Sequence, residues 1–280
     1  MVLPTLMDLV RRSTEYLAGH GIANARREAE WIFAETLRLS RMDLYTRFDM
    51  PLEEAEVQRL RALVQRRGRR EPLAYVLGNQ AFGALTLTVG PGVLVPRPET
   101  EELVEFALGR FPPEAQVRVL DVGTGSGAIA LGVKHARPHW QVTATDVSEQ
   151  ALAFARANGQ RLGLEVQWCL GHLARQQSGP FDLVLANLPY IGESERADCD
   201  PELAFEPQAA LFSGTDGLDL MRDLVADLPR ICAPTGHAVL EHGWQQGAAI
   251  RALAESHGLS AATLPDLSGK DRFAHLQPRR

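Results

Sequence analysis

The stretch "VRVLDVGTGSGAIALGVKHARPHWQVTATD", residues 117–146, points to the architecture. "VRVLDV" reads as a buried strand, "GAIALGVKHA" as a helix and "WQVTATD" as a second strand. Strand, turn, helix and strand in that order mean parallel pairing, with the helix crossing one face of the sheet. Gly123, Gly125 and Gly127, with Thr124 and Ser126 between them, fill the turn. Bare backbone there can bend tightly and approach a ligand closely. Gly123-x-Gly125-x-x-Ala128 also satisfies the looser dinucleotide fingerprint, so the loop alone leaves the ligand open. Asp146 ends the second strand 19 residues beyond Gly127. A carboxylate at that place accepts from ribose hydroxyls, in NAD and in an adenosyl cofactor alike. Asp121, just before the glycines, favours a ligand with a cationic amino-acid end over a pyrophosphate.

The same alternation continues outward to the C-terminus. Strands are expected at "EVQWCL", "FDLVLAN", "HAVLEHG" and "DRFAHLQP", and helices at "SEQALAFARANGQRL", "LDLMRDLVADLPRIC" and "WQQGAAIRALAESHG". Ligands of such sheets bind beyond the carboxyl ends of the strands. Upstream, residues 5–70 read as helices, with Leu6, Leu9, Val10 and Leu17 on one face of the first. "AFGALTLTVGPGVLVP" alternates through Phe82, Leu85, Leu87 and Val89, and predicts a hairpin turning at Gly90-Pro91-Gly92.

Composition narrows the classes. The chain has 280 residues, 45% hydrophobic and 23% charged, an ordinary globular balance that suggests one large domain and a smaller one. No stretch approaches the ~20 apolar residues of a membrane helix. "MVLPTLMDLVRRSTEYL" reads as an amphipathic helix and not as a signal peptide. Cys169, Cys199 and Cys232 form no CxxC pair, so a disulfide framework or zinc site is not expected and a cytoplasmic setting is. Net charge is −6, unevenly spread: residues 1–80 carry 13 Arg against 11 acidic residues. A protein that grips bare nucleic acid shows a clear basic excess, and this one does not. The run Arg66, Arg67, Arg69, Arg70 admits a nucleic-acid reading, or a solvated helix end that complements the macrodipole.

The fourth strand of the alternating part runs into Asn187-Leu188-Pro189-Tyr190. The asparagine side-chain oxygen and the Leu188 carbonyl are two acceptors, suited to a substrate NH₂ on a planar carbon. Held by both N–H bonds, such a nitrogen has its lone pair aimed and its pyramidal form favoured, which is positioning plus electrostatics. Pro189 stiffens the backbone, and Tyr190 offers an aromatic face to a flat group or a nearby positive charge.

Together "RREPLAYVLG", "VLVPRPETEELVE", "VLDVGTGSGAIAL", "FDLVLANLPYI", "FEPQAALFSGTDGLD" and "DLSGKDRF" closely resemble the HemK/PrmC family of peptide chain release factor glutamine methyltransferases. The resemblance covers nearly the whole chain. It implies an α/β fold, a class I (Rossmann-like) methyltransferase sheet with an antiparallel last strand, plus a small N-terminal all-α domain joined by a β-hairpin. The implied domains are residues 1–80, which dock the substrate, a hairpin linker at 81–96, and a catalytic domain at 97–280.

The activity implied is transfer of a methyl group from S-adenosylmethionine to the side-chain amide of the glutamine in the Gly-Gly-Gln loop of class I release factors. By position, Gly123, Thr124, Gly125, Ser126 and Gly127 would line the methionine end, Asp146 the ribose, and Asn187 the target amide beside the cofactor. Pro189 and Tyr190 would form the glutamine slot, with the Leu188 carbonyl as second acceptor. Two departures matter. Leu188 replaces the family's first proline, and Asn-Leu-Pro-Tyr is also common in rRNA adenine dimethylases. His172 stands where the family often has an acidic residue and an aromatic near the adenine. It would stack on that ring or be an exposed loop histidine. The other readings are an amino methyltransferase for adenine in RNA or DNA, and a non-catalytic release-factor-binding protein. A monomer is expected, with no metal, no membrane contact and no direct nucleic-acid partner.

Overall fold

The computed structural model describes residues 4–279. They form two compact units. One comprises the chain up to Asn79 together with Asp200–Phe205; the other comprises Gln80–Cys199 and the chain from Glu206 onward.

The first unit is helical: α1 (Leu6–Gly19), α2 (Ala25–Leu37), α3 (Arg41–Thr46), α4 (Glu54–Gly68) and α5 (Leu73–Leu77). Leu6, Val10, Leu17, Ile32, Phe33, Leu44, Leu60 and Val64 make its core. Thr5 caps α1 by accepting from the Asp8 N–H, and Ser40 with Asp43 forms a capping box on α3. The arginine run is neither a bare cationic patch nor simply a solvated helix end. Arg67 is buried between Glu28 and Glu202, Arg70 donates to Glu202 at 2.8 Å, and Arg66 pairs with Glu71 at 2.6 Å. Glu202 stands 135 residues from Arg67 in sequence, so local composition could not reveal it.

After α5, β1 (Asn79–Phe82) and β2 (Leu85–Thr88) pair as a two-stranded hairpin. It turns at Gly83-Ala84, not at Gly90-Pro91-Gly92 as the alternation suggested. Residues 90–93 make a separate turn, with Val93 donating to the Gly90 carbonyl. Buried Asn158 ties the hairpin down. Its Oδ1 accepts from the Thr88 N–H, and its Nδ2 donates to the Thr88 and Ser126 carbonyls.

α6 (Pro98–Leu108) leads into the alternating elements: β3 (Arg118–Val122), α7 (Ala128–Ala136), β4 (Gln141–Asp146), α8 (Glu149–Leu162), β5 (Gln167–Leu170), β6 (Phe181–Asn187), α9 (Asp219–Ile231), β7 (Cys232–Glu241), α10 (Gly247–Ser256), β8 (Leu259–Pro265) and β9 (Asp271–Pro278). The strand order is β5-β4-β3-β6-β7-β9-β8. β3 through β7 are parallel, and β9 runs antiparallel to both β7 and β8. This is the expected sheet with one strand more. β8, "LSAATLP", escaped the sequence reading because only its first residue is buried and no apolar alternation marks it.

The order reverses between β3 and β6. β3 leads on to β4 and β5 on one side, and the chain returns to place β6 on the other. The crevice at the carboxyl ends of those two strands is where such sheets take ligands.

Candidate active site

Register brings the predicted residues to one edge. Val122 lies beside Ala186, and Asn187 beside Glu241, so the glycine turn after β3, the tetrad after β6 and the end of β7 converge. Asp146 ends β4 on the same edge. A cavity of about 230 Å³ opens there, walled by Gly123, Gly125, Asp146, His172, Asn187, Leu188 and Pro189. Thr124, Ser126, Gly127 and Tyr190 do not line it. Thr124 and Ser126 are buried beneath the turn, and Gly127 caps α7.

The turn shows why glycine is needed. Gly123 has φ +76°, and a Cβ there would meet Leu188 Cδ2 at 2.9 Å. Gly125 has φ +57° with nothing within 4 Å of its would-be Cβ, so open space lies above it. Asp146 stitches this loop to the next helix. Its Oδ2 accepts from the Gly125 N–H and its Oδ1 from the Ser148 N–H, both at 2.8 Å. Burial holds its pKa above the usual carboxylate range. Each oxygen keeps a second lone pair for a further donor.

Asp121 plays a supporting part. It is fully buried and does not face the cavity. Oδ2 accepts from Thr124 Oγ1 at 2.6 Å and from the Ala130 N–H at 3.1 Å, pinning the glycine turn to α7. Burial pushes its pKa up to about 7.

Leu188 is buried in the core cluster that also holds Val122, Ala186 and Leu240. Its side chain therefore anchors the tetrad from within the sheet, while its carbonyl lies past the end of β6. Asn187 is half-buried. Its Nδ2 donates to Thr100 Oγ1 at 2.9 Å, and no hydrogen bond among the described residues reaches its Oδ1. Thr100 Oγ1 donates in turn to Glu241 Oε2 at 2.8 Å. Tyr190 faces the other carboxyl oxygen, 3.5 Å away. Burial pushes the Glu241 pKa up to about 7, and burial beside that carboxyl raises the Tyr190 phenol above its ordinary value.

The segments around Arg97–Thr100 and Phe205–Pro207 are among the stretches that carry the family resemblance. Within the second unit Glu206, which is 3% exposed, ties Val95 and Arg97 to the segment that it opens. Its Oε2 accepts from the Val95 N–H at 2.8 Å and its Oε1 from the Arg97 guanidinium at 2.5 Å. This clasp joins the segment carrying Val93 and Leu94 to the one carrying Pro207, Ala209 and Ala210, and all five line the cavity.

These walls suit a nucleoside bearing a charged tail. His172 lines the wall and its buried Nδ1 has no partner among the described residues, Asp146 offers carboxylate lone pairs, and open space lies above Gly125. No group of metal-ligating side chains occurs among the described residues. No helix there is long and apolar enough to cross a membrane.

Comparison with known proteins agrees in family and fold. Residues 8–78 match the PrmC N-terminal domain, and residues 101–214 match the methyltransferase small domain. The release factor glutamine methyltransferase of Xylella fastidiosa (strain Temecula1) is 43% identical over 277 residues, 96% of this chain and 97% of its own. The protein of the same name from Deinococcus radiodurans is 38% identical over 272 residues, 97% of this chain and 98% of its own. A crystal structure of a methyltransferase from Pyrococcus furiosus superposes with TM-score 0.54 at 21% identity, over 70% of this chain and 89% of that one. That last likeness is one of fold.

Proposed function

The chain belongs to the release factor glutamine methyltransferase family, and on that footing we propose that it methylates the side-chain amide of a release-factor glutamine. The glutamine is that of the Gly-Gly-Gln loop in class I release factors. S-adenosylmethionine is the methyl donor, and when bound its sulfonium supplies an electrophilic methyl group. The observation that supports the reading is the end of β6, where Asn187, whose Oδ1 accepts no hydrogen bond among the described residues, and Leu188 both line the cavity.

The residues act as follows. Gly123, Gly125 and the intervening backbone admit the methionine end of the cofactor. Asp146 accepts from the ribose hydroxyls with the lone pairs left over from Gly125 and Ser148. His172 packs against the adenine. Asn187 Oδ1 and the Leu188 carbonyl accept the two N–H bonds of the substrate amide, whose lone pair is otherwise delocalised into its carbonyl. Fixing both bonds turns that lone pair toward the methyl carbon and favours the pyramidal nitrogen of the transition state. Pro189 stiffens the slot and Tyr190 borders it. Once methylated, the nitrogen is strongly acidic and sheds its proton to solvent, so no strong base is needed.

The helical unit is proposed to dock the protein substrate. Met42, Tyr45 and Phe48 expose large apolar surface in and after α3, as expected of a face awaiting a partner. The protein is proposed to act as a monomer in the cytoplasm, without contacting nucleic acid directly.

The test is a transfer assay with purified protein, labelled S-adenosylmethionine and recombinant release factor. Label confined to the Gly-Gly-Gln peptide is expected, with none on a release factor whose glutamine is replaced. Label on RNA or DNA adenine instead would overturn the substrate assignment. No transfer to any acceptor, with release factor still bound, would favour a non-catalytic role.

A further inference from the structure

We propose that Thr100 and Glu241 are positioning residues that decide which way round the Asn187 carboxamide stands, and so keep its oxygen turned toward the substrate. The inference rests on the reading of Asn187 given above. A carboxamide has nearly the same shape in its two orientations, so packing alone does not choose between oxygen-out and nitrogen-out. The choice must come from a partner that can only accept or only donate.

Thr100 becomes such a partner through Glu241. A hydroxyl owns a single proton. Thr100 spends it on Glu241 Oε2, 2.8 Å away, in a pair whose members are 3% and 1% exposed. Water does not compete for that bond. The hydroxyl oxygen is then left as an acceptor and meets Asn187 Nδ2 at 2.9 Å. Were the amide reversed, Asn187 Oδ1 would face the Thr100 oxygen with no proton between them, or the buried carboxyl group would lose its donor. Either alternative leaves a buried polar group unsatisfied. Both carboxyl oxygens of Glu241 face hydroxyls, those of Thr100 and Tyr190, and in its ionised form the group can only accept on both sides. Bond direction thus runs from Asn187 to Thr100 to Glu241.

The residues come from three distant places in the chain: the first turn of α6, the end of β6 and the end of β7. α6 is thereby assigned a part in orientation as well as in packing. Thr100 touches no reacting atom in this account, so its effect must pass through Asn187.

The test compares Thr100→Val, which keeps the shape and removes the hydroxyl, with Thr100→Ser, which keeps the hydroxyl. Thr100→Val is expected to lower kcat by about tenfold or more, the worth of one ordered buried hydrogen bond. Its affinity for S-adenosylmethionine and its KM for release factor should stay close to wild type. Thr100→Ser should recover most of the lost kcat. A Thr100→Val enzyme with lowered thermal stability but wild-type kcat would overturn the proposal, as would failure of serine to rescue. Should the valine variant not fold, the wild type answers by NMR. An Asn187 side-chain NH₂ in close contact with the Thr100 methyl and protected from exchange is expected. An exposed NH₂ without that contact would overturn the relay. Asn187→Ala separates the two readings. If it is as active as wild type, the role of Asn187 fails; if it is inactive while Thr100→Val is not, only the relay fails.

Discussion

The side chain of Leu188 fills the space that a Cβ on Gly123 would need, with Leu188 Cδ2 2.9 Å from that position. The glycine turn and the asparagine tetrad are therefore one packed object. Leu188 restrains the tetrad by its burial in the core.

Gly123→Ala tests this joint. The alanine would adopt φ +76° and press on Leu188 at once. Left-handed backbone costs about 1–2 kcal/mol and overpacking about 1–3 kcal/mol. We expect a loss of about 2–5 kcal/mol in urea unfolding, with weaker S-adenosylmethionine binding by calorimetry. Adding Leu188→Ala should relieve the steric part and leave the backbone part. An alanine variant as stable as wild type would contradict the packing described.

Glu206 gives a second prediction. Its carboxylate satisfies the Val95 N–H and holds Arg97. Glu206→Ala strands a buried N–H and a half-buried guanidinium, and should cost about 3–5 kcal/mol. Glu206→Gln keeps an oxygen for one of the two donors and should cost less. Chemical denaturation of both variants reads the difference directly. Equal losses would mean that the clasp contributes only shape.

Stability should also depend on pH through Asp121 and Glu241. Both sit at about 7 in the fold, against ordinary values of 3.8 and 4.5. The folded protein thus holds these protons more tightly than the unfolded chain does. Their contribution is complete below about pH 4, declines as the pH rises, and is gone above about pH 7. Glu241→Gln removes one of the two groups. The melting temperature of wild type relative to this variant should therefore fall between pH 5 and pH 8. A constant difference across that range would show that Glu241 titrates normally.

The parts of the fold and site visible in the sequence were those written in local pattern. Gly123 and Gly125 stand between an apolar run and a helical one, Asp146 closes the next strand, and Asn187 ends the fourth. Each is marked by its immediate neighbours. Hidden features depend on distance or on weak pattern. The Thr100–Glu241 and Thr100–Asn187 bonds span 141 and 87 residues, and Glu206 reaches Val95 across 111. Arg67 looked like surface charge because its partner Glu202 arrives from another part of the chain. β8 lacks apolar alternation, and the hairpin turns at the inconspicuous Gly83-Ala84 because the louder Gly90-Pro91-Gly92 makes a turn of its own.

The most direct test of the whole account is single-turnover methyl transfer by Asn187→Ala, measured beside its affinity for S-adenosylmethionine. Removing a preorganised acceptor should slow transfer to release factor by about 100-fold or more while cofactor binding changes little. Transfer at the wild-type rate would mean that the oxygen at position 187 does not hold the glutamine amide.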